Sequence, residues 1–144
     1  MPRGASVRER ATIVRYALGG STCTSSGRVA VGNRYQAVID PAATNNTHSS
    51  LVRLTGAGRA VLELGASSGY MTRLLRERGC TVTAVENDPA VADELAAVAD
   101  AAVIADLEDP AAFDSVSGPF DVVLAGDVLE HVRDPDRVLQ QAVA

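Results

Sequence analysis

The chain has 144 residues, of which 47% are hydrophobic, and a formal net charge of −5. This length fits one domain with its own hydrophobic core, and no apolar run reaches the roughly 18 residues of a membrane span, so we expect a soluble, cytoplasmic protein. The charge is uneven: residues 1–39 hold six Arg and one acid, whereas residues 40–144 hold seven Arg and seventeen acids. Such an acidic domain is unsuited to nucleic acid, whose phosphate backbone binds basic surfaces.

The two cysteines, Cys23 and Cys80, are far apart and form no CxxC or Cys/His cluster. A disulfide scaffold or a metal site is therefore not expected. Cys80 precedes an apolar segment and is interpreted as a small buried hydrophobic residue.

The first elements in chain order are weakly marked. We assign residues 1–34 to an N-terminal extension that we expect to be disordered, apart from a candidate helix from Val7 to Leu18. A hairpin turn is predicted at Gly32-Asn33, and a short helix is predicted from Ser49 to Leu54. The domain proper is assigned to residues 35–144.

From residue 60 the pattern becomes regular, with apolar strands that alternate with helical segments. Gly and Asp-Pro pairs mark the ends and starts of the helices. The predicted strands are 60–64, 81–85, 102–105 and 120–125, and the predicted helices are 71–78, 89–98, a brief one at 110, 128–132 and one from 135 to the end. Alternation of this kind predicts an α/β fold with a doubly wound, Rossmann-like parallel sheet that is covered on both faces.

A glycine-rich loop, Gly65 to Gly69, follows the first of these strands. Glycine lets the backbone turn sharply and approach a ligand, and the next helix presents unpaired N–H groups to an anion. A tight strand-to-helix turn without a ligand is the alternative. Glu86, 21 residues after Gly65, and Asp106 follow the next two strands, where acids can accept hydrogen bonds from a ribose and an adenine amino group.

The loop favours a sulfonium donor over a dinucleotide. The dinucleotide fingerprint requires glycine where this chain has Ser67 and Tyr70, and its second glycine allows contact with a pyrophosphate. S-adenosylmethionine has no pyrophosphate, and Glu63 places an anion near its cationic end. The sequence therefore favours S-adenosylmethionine as the cofactor.

Four segments in order resemble the signatures of class I S-adenosylmethionine-dependent methyltransferases. They are similar in particular to small bacterial members found among glycan and cell-surface biosynthesis genes. The resemblance runs from about residue 35 to residue 144, and the four segments are Glu63–Tyr70, Val85–Pro89, Ala105–Asp109 and Phe120–His131.

The resemblance implies a role for each matching residue. It implies that Gly65, Ser67 and Gly69 line the methionine moiety, that Glu86 binds the ribose, and that Asp106 and Leu107 contact the adenine. Ser67 departs from the glycine that the family has at this position. The residues assigned to donor binding are Glu63, Gly65, Ala66, Ser67, Gly69, Tyr70, Glu86, Asn87, Asp106, Leu107 and Asp127. Asn45, Asn46 and His48 resemble a segment that lies over the donor pocket in relatives.

Asp127, Glu130 and His131 have the spacing of one helical face beyond the fourth predicted strand. Asp127 is a candidate cap for that helix. His131 is the candidate general base for a hydroxyl or amine acceptor, because the pKa of histidine lies near neutrality. A capped helix with a polar face toward the cleft is the alternative interpretation.

The family resemblance implies a seven-stranded sheet, of which about four strands are readable in this chain. We therefore expect an incomplete domain whose fourth strand is an unpaired apolar edge that favours self-association. The expected function is methyl transfer to a small-molecule or glycan-related acceptor. The alternatives are a non-catalytic donor-binding or interaction module and, less favoured, an NAD-binding oxidoreductase domain.

Overall fold

The computed structural model describes the backbone of residues 12–16 and the whole of residues 46–144. Within these residues, strands alternate with helices along the chain. In order they are β1 (Thr12–Tyr16), α1 (Thr47–Thr55), β2 (Ala60–Leu64), α2 (Tyr70–Glu77), β3 (Thr81–Glu86), α3 (Ala92–Ala96), β4 (Ala101–Ile104), β5 (Val122–Gly126) and α4 (Pro135–Ala142). Short 3₁₀ turns occupy Pro89–Val91, Pro110–Phe113 and Leu129–His131.

The strands form one parallel sheet in the order β1-β5-β2-β3-β4. The chain runs outward from β2 to β3 and β4, and then returns to place β5 on the other side of β2. This confirms the predicted α/β, Rossmann-like fold, and all four strands predicted between residues 60 and 125 are present. The point where the strand order reverses, between β2 and β5, is where open parallel sheets bind ligands.

β1 corrects two expectations. The candidate helix from Val7 to Leu18 is wrong for Thr12–Tyr16, which form a strand instead. Thr12, Ile13 and Val14 are β-branched, a residue type that favours strands over helices. The register of β1 on β5 runs from Thr12 opposite Val122 to Tyr16 opposite Gly126. β5 is therefore paired on both sides, so the expectation that the fourth predicted strand is an unpaired edge is wrong, and the self-association expected from that edge loses its basis.

Apolar side chains cover both faces of the sheet, as expected for parallel strands. On one face, one apolar cluster contains Val61 of β2 together with Leu51 of α1, Met71 and Leu75 of α2 and Leu95 of α3. The opposite face carries a second cluster, in which Val138 of α4 packs with strand residues. Cys80 is 1% exposed, which confirms its interpretation as a buried residue. The packing holds the carboxyl ends of the strands in fixed positions.

Two helices differ from the prediction. The segment 89–98 divides into a 3₁₀ turn, Pro89–Val91, and the short α3, while Asp88 caps the turn as expected. The segment 128–132 forms a 3₁₀ turn, Leu129–His131. The residue before this turn, Val128, makes no side-chain capping hydrogen bond. α1 agrees with the predicted helix and begins two residues earlier, with Asn46 accepting from the Ser49 N–H. The predicted hairpin at Gly32-Asn33 lies outside the described residues.

None of the helices in the described part of the chain is long and apolar enough to span a membrane.

Candidate functional site

The loop after β2 adopts a conformation that glycine alone allows at two positions. Gly65 has φ +69°, and a β-carbon there would lie 2.6 Å from Cγ2 of Val128. Gly69 has φ +82°, and a β-carbon there would lie 2.5 Å from Cγ2 of Val98. Val128 follows β5 and Val98 follows α3, so the loop is held between these segments. The tight packing fixes the backbone at the carboxyl end of β2.

α2 begins directly after this loop, with Gly69 as its first flanking residue and no side-chain cap. The first N–H groups of a helix have no partner within the helix, and the helix dipole adds positive charge there. The helix start therefore offers N–H donors to an anionic group such as a carboxylate. The loop itself offers few, because the N–H groups of Gly65, Ala66, Ser67 and Gly69 already have acceptors within the chain.

Ser67 stands at the loop position where the family resemblance implies a glycine. Its φ of +52° lies in the left-handed region, which non-glycine residues adopt only at an energetic cost. Its N–H donates to Oε2 of Glu86 at 2.7 Å. This hydrogen bond joins the loop after β2 to the end of β3 and compensates for the strain at Ser67.

The carboxylate of Glu86 is 8% exposed and is fixed by three backbone donors. Oε2 accepts from Ser67 N, and Oε1 accepts from Asn87 N and Asp88 N, both at 2.9 Å. A carboxylate has about four acceptor sites, so one remains on Oε2. That site can accept a hydrogen bond from a ligand hydroxyl beside the loop.

Glu63 lies in β2 and is buried, with 1% of its surface exposed. Thr72 Oγ1 donates to its Oε2 at 2.6 Å, while its Oε1 has no hydrogen-bond partner among the described residues. Burial raises the pKa of Glu63 to about 7, although the Thr72 hydrogen bond lowers it. The anion expected here is therefore present only as the pH rises through neutrality. The sequence did not identify Thr72, whose helical position alone gave no signal.

Asp127, directly after β5, contacts His48, which the family resemblance had placed near the donor pocket. Its Oδ2 lies 3.2 Å from Nε2 of His48 in the first turn of α1. The hydroxyl of Tyr70, at the start of α2, lies 3.2 Å from the same nitrogen. Asp127 has φ +52° and does not cap the following turn. The expected single face of Asp127, Glu130 and His131 is wrong, because the turn is a 3₁₀ turn and Asp127 faces His48.

The remaining predicted residues lie around the same edge. Asn87 and Asp106 are exposed, and Leu107 is buried. Oδ1 of Asp106 accepts from the Glu108 N–H at 2.9 Å. His131 is exposed at the end of its turn. The structure thus brings the loop together with Glu86 and with Asp127, while His131 is exposed in the turn that follows β5.

Within residues 12–16 and 46–144, no group of three or more His, Cys, Asp or Glu side chains is arranged to hold a metal ion.

A family model described as methyltransferase domain matches residues 34–144. No curated protein matches the chain in sequence.

Several solved structures are similar to it. A TehB-like SAM-dependent methyltransferase from Corynebacterium glutamicum is 22% identical with a TM-score of 0.52, over 66% of this chain and 53% of that one. Magnesium protoporphyrin IX methyltransferase from Synechocystis, with bound SAM, is 17% identical with a TM-score of 0.54, over 68% and 53%. The N-terminal domain of EvdMO1, with SAH bound, is 27% identical with a TM-score of 0.50, over 69% and 45%. The chain thus spans about half the length of these solved chains.

Proposed function

We propose that this chain, which belongs to the methyltransferase-domain family, binds S-adenosylmethionine at the carboxyl edge of its sheet as the donor for methyl transfer. The observation that carries the proposal is the hydrogen bond between the glycine-rich loop after β2 and Glu86 at the end of β3. The Ser67 N–H fixes Glu86 beside a glycine loop that has no room for β-carbons at Gly65 and Gly69. The donor-bound Synechocystis and SAH-bound EvdMO1 structures, which share the fold, support this choice.

The residues present fit the methionine end of the donor. The N–H groups at the start of α2 would bind its carboxylate. Asp127 Oδ1, which is buried and has no hydrogen-bond partner among the described residues, would accept from its ammonium. Ala66 and Tyr70 would line the same end through their places in the loop and at the helix start.

The ribose and the adenine would lie further along the edge, across β3 and β4. The remaining acceptor site of Glu86 would take a ribose hydroxyl, next to Asn87. Asp106 would accept from the adenine amino group, and Leu107 would contact the ring from the buried side. These roles extend the donor over three neighbouring strand ends.

The same residues disfavour a dinucleotide. A pyrophosphate needs the close approach that a second glycine provides, and Ser67 stands there. The carboxylate of Asp127 beside the loop would also repel a pyrophosphate, whereas it attracts an ammonium or a sulfonium.

When bound, the donor supplies a methyl group on a sulfonium, which an acceptor nucleophile takes by in-line displacement. The chain's own contribution is to hold the donor in one orientation through the loop, Glu86 and Asp127. We propose a small-molecule or glycan-related acceptor, on the basis of the motif resemblance. His131 is the candidate general base, since it lies exposed beyond β5.

The test is calorimetric titration of the purified chain with S-adenosylhomocysteine and, separately, with NADH. We expect S-adenosylhomocysteine to bind and NADH not to bind. Glu86→Ala should weaken S-adenosylhomocysteine binding at least tenfold, since a hydrogen bond to a charged group contributes about 1.5–3 kcal/mol. Glu77→Ala, on the exposed side of α2, is the matched control. Tighter binding of NADH would refute the proposal, and binding of neither ligand would favour a non-catalytic module.

A further inference from the structure

His48, Tyr70 and Asp127 form a cluster that joins three elements of the fold. His48 belongs to α1, Tyr70 begins α2 and Asp127 follows β5. The rings of His48 and Tyr70 pack edge to face, with centroids 5.3 Å apart and an interplanar angle of 87°. The side chains of His48 and Asp127 are 19% and 31% exposed. The cluster is thus partly open to a ligand and held by both helices.

Asp127 is the strained member of this cluster. A φ of +52° places it in the left-handed region, which a non-glycine residue keeps only where its surroundings hold it. Its two oxygens differ: Oδ2 contacts His48, whereas Oδ1 is buried and has no hydrogen-bond partner among the described residues. A buried carboxylate oxygen of this kind is costly unless a donor meets it.

The position of Asp127 relates it to the glycine loop. In the sheet register, Leu64 of β2 lies opposite Ala125 of β5, so Gly65, the residue after β2, lies beside Gly126, the last residue of β5. Val128, the residue after Asp127, fills the space next to Gly65. Asp127 therefore lies beside the loop assigned to the amino-acid end of the donor.

The two contacts of His48 Nε2 restrict where its proton can be. If Nε2 carries a hydrogen, it can donate to Oδ2 of Asp127. If it carries none, the Tyr70 hydroxyl donates to it, and Asp127 Oδ2 then faces a second acceptor. The contact with Asp127 is favourable only in the first case.

We propose that His48 is a positioning residue for the donor. Its Nε2–H holds Oδ2 of Asp127, so that Oδ1 meets the ammonium group of the donor's methionine moiety. Tyr70 packs against the imidazole and restricts its rotation. The inference rests on the proposed function, because it names a residue that acts through Asp127 on the same ligand.

The test compares two probes that differ in the relevant group. S-adenosylhomocysteine carries the ammonium, whereas 5′-deoxy-5′-methylthioadenosine lacks the whole amino-acid end. We expect H48A to weaken S-adenosylhomocysteine binding about tenfold, as for the loss of one hydrogen bond to a charged group, and to leave methylthioadenosine binding unchanged. H48Q retains an N–H donor near the position of Nε2 and should restore most of the affinity.

A double-mutant cycle distinguishes action through Asp127 from general damage to α1. D127N keeps a residue that tolerates the left-handed conformation and replaces the carboxylate by an amide, which has one acceptor oxygen and an NH₂ donor in place of two acceptor oxygens. H48A/D127N should bind S-adenosylhomocysteine no more weakly than D127N alone, because His48 acts through the carboxylate that D127N has already removed. L54A is the control in the same helix, since Leu54 is 69% exposed. Thermal melting checks that each variant is folded, and if H48A is not, H48Q and D127N carry the test.

The outcomes separate this inference from the proposed function. Unchanged S-adenosylhomocysteine binding by H48A or D127N, equal losses for both probes, or additive losses in the double variant would overturn the role of His48 while leaving donor binding intact. H48Q binding as weakly as H48A would also overturn it. Absence of S-adenosylhomocysteine binding by the unmodified chain would refute the proposed function and the inference together.

Discussion

Glu63 should make the free energy of unfolding of this fold decrease as the pH rises towards neutrality. Burial raises the pKa of its side chain from 4.5 to about 7. Between these values the folded state holds a proton that the unfolded state releases, so the contribution of Glu63 to stability falls as pH rises. It is fully favourable below pH 4.5 and is lost by the time pH has risen through about 7.

The size of the effect follows from the shift. Each pKa unit corresponds to about 1.4 kcal/mol, so the full contribution is about 3 kcal/mol, of which about 2.5 kcal/mol falls between pH 5 and pH 8. Glu63→Gln resembles the protonated acid in shape and does not titrate. Its stability relative to the unmodified chain should therefore rise by about 2.5 kcal/mol over that range.

Urea denaturation followed by circular dichroism at pH 5, 6, 7 and 8 measures this difference. Glu77→Gln, an exposed position on α2, is the control and should show a constant difference from the unmodified chain. Thr72→Val removes the hydrogen bond that lowers the pKa of Glu63 and should extend the pH-dependent range upward. Parallel pH profiles for the unmodified chain and Glu63→Gln would refute the reasoning.

Two further predictions concern the glycine loop. Ser67→Gly should raise the free energy of unfolding by roughly 0.5–1 kcal/mol, because relief of the left-handed strain exceeds the added entropy of the unfolded chain; a lower urea midpoint would contradict this. Gly65→Ala should lower the free energy of unfolding by roughly 1–3 kcal/mol more than Gly79→Ala does. Both glycines have a positive φ, but only at Gly65 would a β-carbon clash with Val128. Equal losses in urea denaturation would show that the predicted clash is absent.

The strands around the site could be predicted because their signals are local. Short apolar runs bounded by Gly and Asp-Pro pairs predicted β2 to β5, and parallel topology then required Glu86 and Asp106 to follow neighbouring strand ends. The bounds of β2 agree with the structure at both ends, since Gly56-Ala-Gly58 and Gly65 mark them. These strands could be predicted without information on contacts between distant segments of the chain.

The contacts that sequence reasoning missed are non-local. His48 and Asp127 are 79 positions apart, and no periodicity relates them. The spacing of Asp127, Glu130 and His131 indicated an α-helix, but the left-handed φ of Asp127 turns that residue toward α1 instead. β1 was missed because a single strand without a regular neighbouring pattern carries little signal. Tertiary pairing decided each case.

The hydrogen bond from Ser67 to Glu86 couples two parts of the proposed ligand-binding edge. It ties the loop to the adjacent strand end, so a change in either alters the shape of the other. Because the bond is already formed within the chain, neither half of a bound nucleoside amino acid would have to order it. Loss of the Glu86 carboxylate would instead disturb the loop as well as the ribose contact, so one substitution would weaken the contacts of both halves of the ligand.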